Sequence, residues 1–169
     1  ARRSKETGKK WQALDLSRDQ NPDVPEEQER IEKSGGFVSP PPEPGLSARV
    51  WLDGSFSQIG LAMARSIGDH AVAPVGVIAE PEVTFHTIQE EDEFFILATD
   101  GVWEFIESEE AVRIVGERLE NGDGATKACQ ALIEAAAAKW HEEEGNYRDD
   151  ITALVVCLKD LWGTHTANS

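Results

Sequence analysis

One acidic position stands out as able to carry chemistry. Asp100 follows a short apolar run at residues 94–98 and is itself followed by Gly101. A run of this length predicts a buried strand, and the sheet would then hold a carboxylate at its end, which suits metal binding or catalysis. The glycine lets the backbone turn and lets another group come close. The alternative is a strand-ending aspartate whose side-chain oxygen caps the next helix.

Two further acidic stretches make the first interpretation more specific. LAMARSIGD ends at Asp69, and DDITALVV begins at Asp149. Together with FFILATDGVWEF around Asp100, they resemble three signatures of the metal-dependent PP2C (PPM) protein phosphatases, in order and roughly in spacing. Those signatures read approximately L-A-x-x-R-x-x-G-D, F-x-x-L-A-x-D-G-x-W-D and D-N-x-T-x-x-V. Three ordered matches are a stronger signal than any one of them.

The resemblance implies a fold and an activity. PP2C domains are α+β, with two packed antiparallel sheets flanked by helices in α-β-β-α layers, and this chain corresponds only to the C-terminal part. The implied function is a protein serine/threonine phosphatase that hydrolyses phosphomonoesters at a dinuclear Mg²⁺ or Mn²⁺ site, with a weaker third ion. Water bridging two such ions loses a proton easily and attacks phosphorus in line. The implied substrate is a phosphorylated protein.

The resemblance also assigns metal ligands. Asp100 and Asp149 match the core ligands of the family, and Asp69 matches the ligand of the weaker third ion. We include Gly101 and Glu104 in the same metal-binding set. Glu104 stands where many members have aspartate, so its longer side chain leaves the ligand role open. No residue is assigned as a catalytic acid, base or nucleophile, and the substrate-binding residues are not identified.

Some nearby charged residues are predicted to be structural. Asp150 stands where the family more often has asparagine, and we expect it to support the loop. Arg65 and Arg148 lie beside acidic residues, and we expect both to form structural ion pairs.

The chain lacks earlier motifs of the family. It has no Asp-Gly-His-Gly, so the aspartate that bridges both metals is absent, as is the arginine- and glutamate-containing motif that binds phosphate. We therefore expect the chain by itself to be inactive, with an incomplete metal centre and exposed apolar sheet surface. The upstream half of the same domain, or a partner chain, would complete it.

Two other functions remain open. The chain could be a catalytically silent PP2C-like module that binds or regulates a partner and keeps Asp100 and Asp149 as relics. An acidic cation-binding protein is a weaker alternative, because no regular calcium loop is present. A looser resemblance, over residues 67–82 and 149–152, is to PP2C domains fused to cyclic-nucleotide-binding and kinase domains.

Composition argues against some classes of binding partner and some locations. The chain has 32 acidic and 16 basic residues, a net charge of −16, which argues against a nucleic-acid surface. No apolar run approaches the length of a membrane span. Cys129 and Cys157 do not make a disulfide framework, which favours a reducing, cytoplasmic location.

Periodicity and turn residues predict the elements that position these residues. We expect one domain over residues 11–162, with a flap at about residues 22–48. Residues 1–10 would be a basic arm or the remnant of a hairpin loop, and residues 163–169 a disordered tail. Helices are predicted over residues 25–34, 108–119 and 125–140, and residues 61–67 are helix-compatible. Strands are predicted over residues 11–16, 83–87, 94–98 and 151–158, the last buried on both faces.

Overall fold

The computed structural model describes residues 1–4, 10–42 and 46–162. Parts of the predicted basic arm (residues 5–9) and flap (residues 43–45), and the whole predicted tail (residues 163–169), lie outside the described residues. The chain forms two compact units. The first comprises Ala1–Leu16 together with the chain from His86 onward, and the second is Ser17–Phe85.

Helices and short strands make up both units. The first unit contains β1 (Arg2–Arg3), β2 (Trp11–Gln12), β5 (Phe94–Ala98), α2 (Asp100–Trp103), α3 (Ser108–Glu120), α4 (Gly124–Glu144), β6 (Ala153–Cys157) and α5 (Leu158–Trp162). The second contains α1 (Pro25–Lys33), β3 (Phe37–Ser39), β4 (Arg49–Trp51) and a 3₁₀ turn at Ala73–Val75. Within the described residues the strands form three antiparallel pairs, β1–β2, β3–β4 and β5–β6. No helix among them is both long enough and apolar enough to cross a membrane.

The core of the first unit lies between the β5–β6 pair and the helices α3 and α4. The two strands pair from Phe94 opposite Cys157 to Ala98 opposite Ala153. Phe94 is buried against this helical layer, as the strand prediction requires. The opposite face of the pair is bare, with Leu97 61% and Leu154 48% exposed. The apolar sheet surface expected from the sequence is therefore present.

The helix predictions for this unit are confirmed in position. On α4 the buried side chains are Ala128, Leu132, Ala136 and Trp140, the four-residue spacing read from the sequence. α3 begins at Ser108. A serine before two glutamates predicts an N-cap, but Ser108 is instead the first helical residue, and its hydroxyl donates a hydrogen bond of 2.7 Å to Asp15.

The second unit is built on α1. Proline at position 25 begins the helix, and acids occupy its first turn, as predicted. β3 and β4 pair with Val38 opposite Val50. Ile31 of α1 packs with Val50 and Val72 in a small apolar core.

Four of the predicted elements are wrong or shorter than expected. Residues 83–87 do not form a strand, and Phe85 is 96% exposed, because no neighbouring strand pairs with them among the described residues. Residues 61–67 are not helical, since Leu61 exchanges backbone hydrogen bonds of 2.8 and 3.0 Å with Val50. The strand predicted at residues 11–16 is limited to Trp11–Gln12. The final strand spans Ala153–Cys157, and Leu154 shows that it is not buried on both faces.

Trp11 occupies a tightly fitted position in the first unit. Its ring is buried, meets Phe94 edge-on at 5.4 Å between centroids, and lies under the Arg3 guanidinium at 4.2 Å. A Cβ added at Gly116 of α3 would collide with the indole ring at Nε1. A glycine inside a helix normally lowers stability by about 1 kcal/mol relative to alanine. Gly116 is explained by the space that the indole ring of Trp11 needs next to the α3 backbone.

We expect Gly116→Ala to lower the free energy of unfolding by about 1–3 kcal/mol, because the added methyl overpacks the site. Urea unfolding followed by circular dichroism measures this. Glu117→Ala, an exposed change on the same helix, is the control and should be nearly neutral. In a Trp11→Leu background, where the indole is gone, the same Gly116→Ala change should cost little. A stabilising Gly116→Ala would contradict the assigned packing.

Candidate functional site

Asp100 lies where the β5 strand passes into α2. Thr99 is extended, with φ −81° and ψ 170°, and Asp100 is the first residue of the helix. The amide of Gly101 donates a hydrogen bond of 3.0 Å to Asp100 Oδ1. The carboxylate is on an exposed residue at the end of a sheet strand. This is the placement that the sequence predicted for a metal-binding acid.

Thr99 joins this strand end to the loop that carries Asp149. Its amide donates to the Thr152 carbonyl at 3.0 Å, and its hydroxyl donates to the Asp150 carbonyl at 3.2 Å. The Thr152 amide donates in turn to the Thr99 hydroxyl at 3.1 Å. Asp149 accepts the Asp150 amide at 2.7 Å. These bonds bring Asp100 and Asp149 to the same end of the β5–β6 pair.

Gly101 allows the close approach that the sequence suggested. A Cβ at this position would collide with the Asp150 carbonyl oxygen and would lie 3.0 Å from Ile151 Cα. The carbonyl oxygen of Gly101 accepts a buried hydrogen bond of 2.8 Å from Trp140 Nε1. Packing and this hydrogen bond explain why a glycine is needed here, and its predicted ligand role stays a prediction.

Trp140 connects the two acidic segments. Its ring meets Phe105 at 4.7 Å and Tyr147 at 5.9 Å between centroids, both edge-on. The indole therefore binds the turn after Asp100 and also packs on the loop before Asp149. Sequence reasoning identified Trp140 only as a core residue of α4. A tryptophan at the end of a helix and shortly before an acidic motif was the available signal.

Glu104 follows α2 directly. Its amide donates to the Asp100 carbonyl at 2.8 Å, so its backbone closes the single turn of that helix. Its side chain belongs to an exposed residue. These contacts give it a backbone role, and its predicted ligand role stays a prediction.

Asp69 belongs to the second unit. It lies in the left-handed region with φ 36°, directly after Gly68 with φ 107°. Aspartate tolerates this conformation better than most residues. The Ser66 hydroxyl donates a short hydrogen bond to the Asp69 carboxylate. The structure thus places Asp69 on a tight loop, as the sequence predicted.

A buried carboxylate anchors the segment before Asp69. Glu27 is fully buried, and Arg65 donates to both of its oxygens, with the shortest contact at 2.6 Å. Arg30 donates to the same carboxylate at 2.6 Å and to the carbonyls of Ala64 and Gly76 at 2.9 and 2.8 Å. The predicted ion pair of Arg65 is confirmed. Its partner, 38 residues away, was not foreseen.

The same prediction for Arg148 is wrong. Within the part of the chain that the structure describes, Arg148 makes no ion pair and no hydrogen bond, although Asp149 and Asp150 follow it directly. The Asp149 carboxylate is turned to the Asp150 amide instead.

The donor atoms suit a hard divalent cation but do not complete a site. Carboxylate oxygens such as those of Asp100 and Asp149 are the ligands that Mg²⁺ and Mn²⁺ prefer. Among the described residues, no three histidine, cysteine, aspartate or glutamate side chains gather into a group that could hold a metal ion. The chain therefore offers part of a ligand set.

Comparisons with known proteins agree with the motifs. The family model described as protein phosphatase 2C matches residues 5–145, across both compact units. A rice protein described as probable protein phosphatase 2C 12 is 44% identical over 151 residues, covering 88% of this chain and 37% of its own length. Probable protein phosphatase 2C 6 from Arabidopsis thaliana is 38% identical over 146 residues, covering 86% of this chain and 28% of its own length.

Solved structures show the same fold. The crystal structure of a serine-threonine phosphatase 2C from Toxoplasma gondii superposes with a TM-score of 0.72 at 28% identity. The match covers 84% of this chain and 46% of that one. The predicted PP2C-like α+β class is confirmed. The chain spans less than half the length of each of these proteins. Their names mention no kinase or cyclic-nucleotide-binding domain, so that subtype stays a prediction.

We expect Glu27→Gln to lower the free energy of unfolding of the second unit by about 3–5 kcal/mol at pH 7, because two guanidiniums lose their buried counter-charge. Hydrogen bonds from Arg65, helped by Arg30 and opposed by burial, lower the pKa of Glu27 to about 2. A lowered folded-state pKa stabilises the fold above the unfolded-state pKa of about 4.3. The difference between wild type and variant should therefore shrink as the pH falls from about 4.3 towards 2.

Urea unfolding at several pH values tests this. Glu29→Gln removes an exposed carboxylate paired with Lys33 on the same helix and is the matched control, with an expected change below about 1 kcal/mol. A pH-independent loss in Glu27→Gln would show that ionisation of Glu27 is not the cause.

We expect Trp140→Phe to lower the free energy of unfolding by about 1–3 kcal/mol, because it leaves the buried Gly101 carbonyl without a donor. Amide hydrogen exchange at Thr99 and Thr152 should also accelerate, since the loop is less firmly held. Trp103→Phe removes an exposed indole bond to the Ala98 carbonyl, and we expect it to be nearly neutral. Equal losses in the two variants would contradict the role given to Trp140.

Proposed function

Because the chain belongs to the protein phosphatase 2C family, we propose that it forms part of a serine/threonine protein phosphatase. Its substrate would be a phosphorylated protein, the class on which PP2C phosphatases act. The observation that carries the proposal is the placement of Asp100 and Asp149 at one end of the β5–β6 pair, held by Thr99 and Trp140. This placement is an observation independent of the family match, which concerns sequence and not the positions of the two carboxylates.

Electrostatics support a cation at this place. Asp100, Asp149 and Asp150 carry negative charge on neighbouring segments, and none of them forms an ion pair among the described residues. Like charges in one site disfavour each other, and a divalent cation would relieve that repulsion.

The roles of the residues follow from this placement. The family generally depends on Mg²⁺ or Mn²⁺, and such ions supply a Lewis acid and a water that ionises near neutral pH. We assign Asp100 and Asp149 to hold two of these ions and Asp69, within its own unit, to hold the third. Gly101 is kept as an optional ligand, because a carbonyl oxygen that accepts the Trp140 indole still has a second lone pair. Glu104 is kept as an optional ligand.

The proposed site needs ligands from elsewhere. Mg²⁺ prefers six oxygen ligands in an octahedron, and two aspartates with water leave much of the protein's share unfilled. The upstream half of the same phosphatase domain, or a partner chain, would supply the remainder. We propose on this ground that the 169-residue chain by itself is inactive.

A silent regulatory module is the second candidate. Two observations favour it: the incomplete ligand set and the bare sheet face that carries Leu97 and Leu154. An interaction surface is what a catalytically silent module would present.

We also propose a cytoplasmic location. With only two cysteines, Cys129 and Cys157, the chain lacks the cysteine framework typical of small secreted domains, which agrees with a reducing compartment.

Hydrolysis of a phosphothreonine peptide in Mn²⁺ tests the function. We expect no activity from the chain alone and activity when the upstream half of the domain is supplied, in one chain or as a second one. Asp100→Asn and Asp149→Asn should then each lower kcat/KM by more than about 100-fold, since even residues that only support metal ligands cost 10–100-fold. Asp150→Asn is the control and should retain activity.

The other outcomes are also informative. Activity of the chain alone, lost in Asp100→Asn, would show that its own residues complete the site. Inactivity of the completed wild-type domain would reject the phosphatase and favour the silent module.

A further inference from the structure

Arg148 is the one cation without a partner in the described part of the chain. Each other lysine and arginine there donates to a carboxylate or a backbone carbonyl, as Arg49 does to Gly60 at 2.7 Å. Acids outnumber bases two to one in this chain, so partners are abundant. In the described residues, Arg148 nevertheless forms neither an ion pair nor a hydrogen bond with the two aspartates that follow it. Its charge is therefore available to a ligand.

Arg148 lines a cleft of about 390 Å³ at the end of α4. The walls are mainly polar and include His141, Asn146 and Tyr147. The His141 ring nitrogen Nδ1 contacts the Gly145 carbonyl at 2.9 Å, which fixes the ring against the helix end. The cleft is polar and open to solvent, so it suits a charged group presented by a larger substrate better than an enclosed small molecule.

The residues of the cleft are connected to the candidate metal centre through the chain and through Trp140. Arg148 directly precedes Asp149, and Tyr147 packs edge-on against Trp140, whose indole binds Gly101 beside Asp100. The wall of the cleft is thus linked, by one peptide bond and one aromatic contact, to the segments that carry the acids assigned to the metal ions. The aromatic contact also gives the cleft a defined wall.

We propose that this cleft binds an oxyanion of the phosphoprotein substrate through the Arg148 guanidinium. The oxyanion is either the phosphoryl group itself or the carboxylate of an acidic residue beside it. Guanidinium binds both groups through paired, charge-assisted hydrogen bonds. A protein with net charge −16 repels anions over most of its surface, so it needs an unneutralised cation where an anionic substrate approaches. This inference rests on the proposed function, since it names a substrate contact of the same site.

Tyr147 offers a direct probe, because it is the only tyrosine in the chain. Biosynthetic 3-fluorotyrosine gives a single ¹⁹F resonance from the wall of the cleft. The full chain is titrated without metal ions, at low and at moderate salt. The probes are inorganic phosphate, a phosphothreonine peptide with neutral neighbours, and an unphosphorylated peptide containing glutamates.

We expect a saturable shift of the resonance with at least one probe. Binding of phosphate and of the phosphothreonine peptide identifies the phosphoryl group as the ligand, and binding of the glutamate peptide identifies a flanking carboxylate. Arg148→Gln should weaken binding at least about tenfold, the factor that the loss of even one of the paired charge-assisted hydrogen bonds would give. Arg148→Lys should retain part of the affinity, and added salt should weaken it in the wild type. Arg113→Gln removes an exposed helical cation and should leave binding unchanged.

The proposal is overturned if no probe gives a saturable shift, or if Arg148→Gln binds as tightly as the wild type. The titration needs neither metal nor activity, so its failure is separate from failure of the phosphatase proposal. In the domain completed by the upstream half, Arg148→Gln should raise KM several-fold with little change in kcat. An unchanged KM for every phosphopeptide would also overturn it.

Discussion

The hydrogen bond from the Trp140 indole to the Gly101 carbonyl is the contact on which the candidate site depends. Both groups are buried, and a buried polar atom without a partner costs on the order of 1–3 kcal/mol, so the bond strongly favours one arrangement. It fixes the end of α4 against the turn that follows β5. Because the same ring packs on Tyr147, the arrangement extends to the loop before Asp149. The site is thus positioned by a residue outside the proposed ligand set.

In the second unit, a buried ion-pair cluster positions the Asp69 loop. Glu27 is buried, and a buried carboxylate is tolerated only when it is paired and hydrogen-bonded. Arg30 and Arg65 meet this need, and the guanidinium of Arg65 also donates to the Glu80 carbonyl at 3.0 Å. One charged cluster therefore ties α1 to the segments on both sides of the Asp69 loop. The left-handed backbone at Asp69 follows a segment that cannot shift without breaking these bonds.

The sequence predicted what depends on neighbours along the chain. α1, α3, α4 and β5 were located from periodicity, proline and glycine, and the apolar positions of α4 were correct. Residues 61–67 and 83–87 were not, because their backbone state depends on whether a distant strand pairs with them. Both anchors are also distant pairings, with 39 residues separating Trp140 from Gly101 and 38 separating Arg65 from Glu27. The local sequence shows that each of these residues has a polar group and that its position suits burial. It does not show which distant residue binds that group.

The exposed apolar face of the β5–β6 pair lies close to the incomplete ligand set, so one covering element could complete both. Leu97 and Leu154 lie directly opposite each other, close to the strand end where Thr99 and then Asp100 follow Ala98. A second sheet stacked on this face would lie about 10 Å away and would end near the same place. Side chains at its end could then reach a cation held by Asp100 and Asp149. One surface therefore suits both proposed functions, and the ligands that the covering partner brings decide between a phosphatase and a silent module.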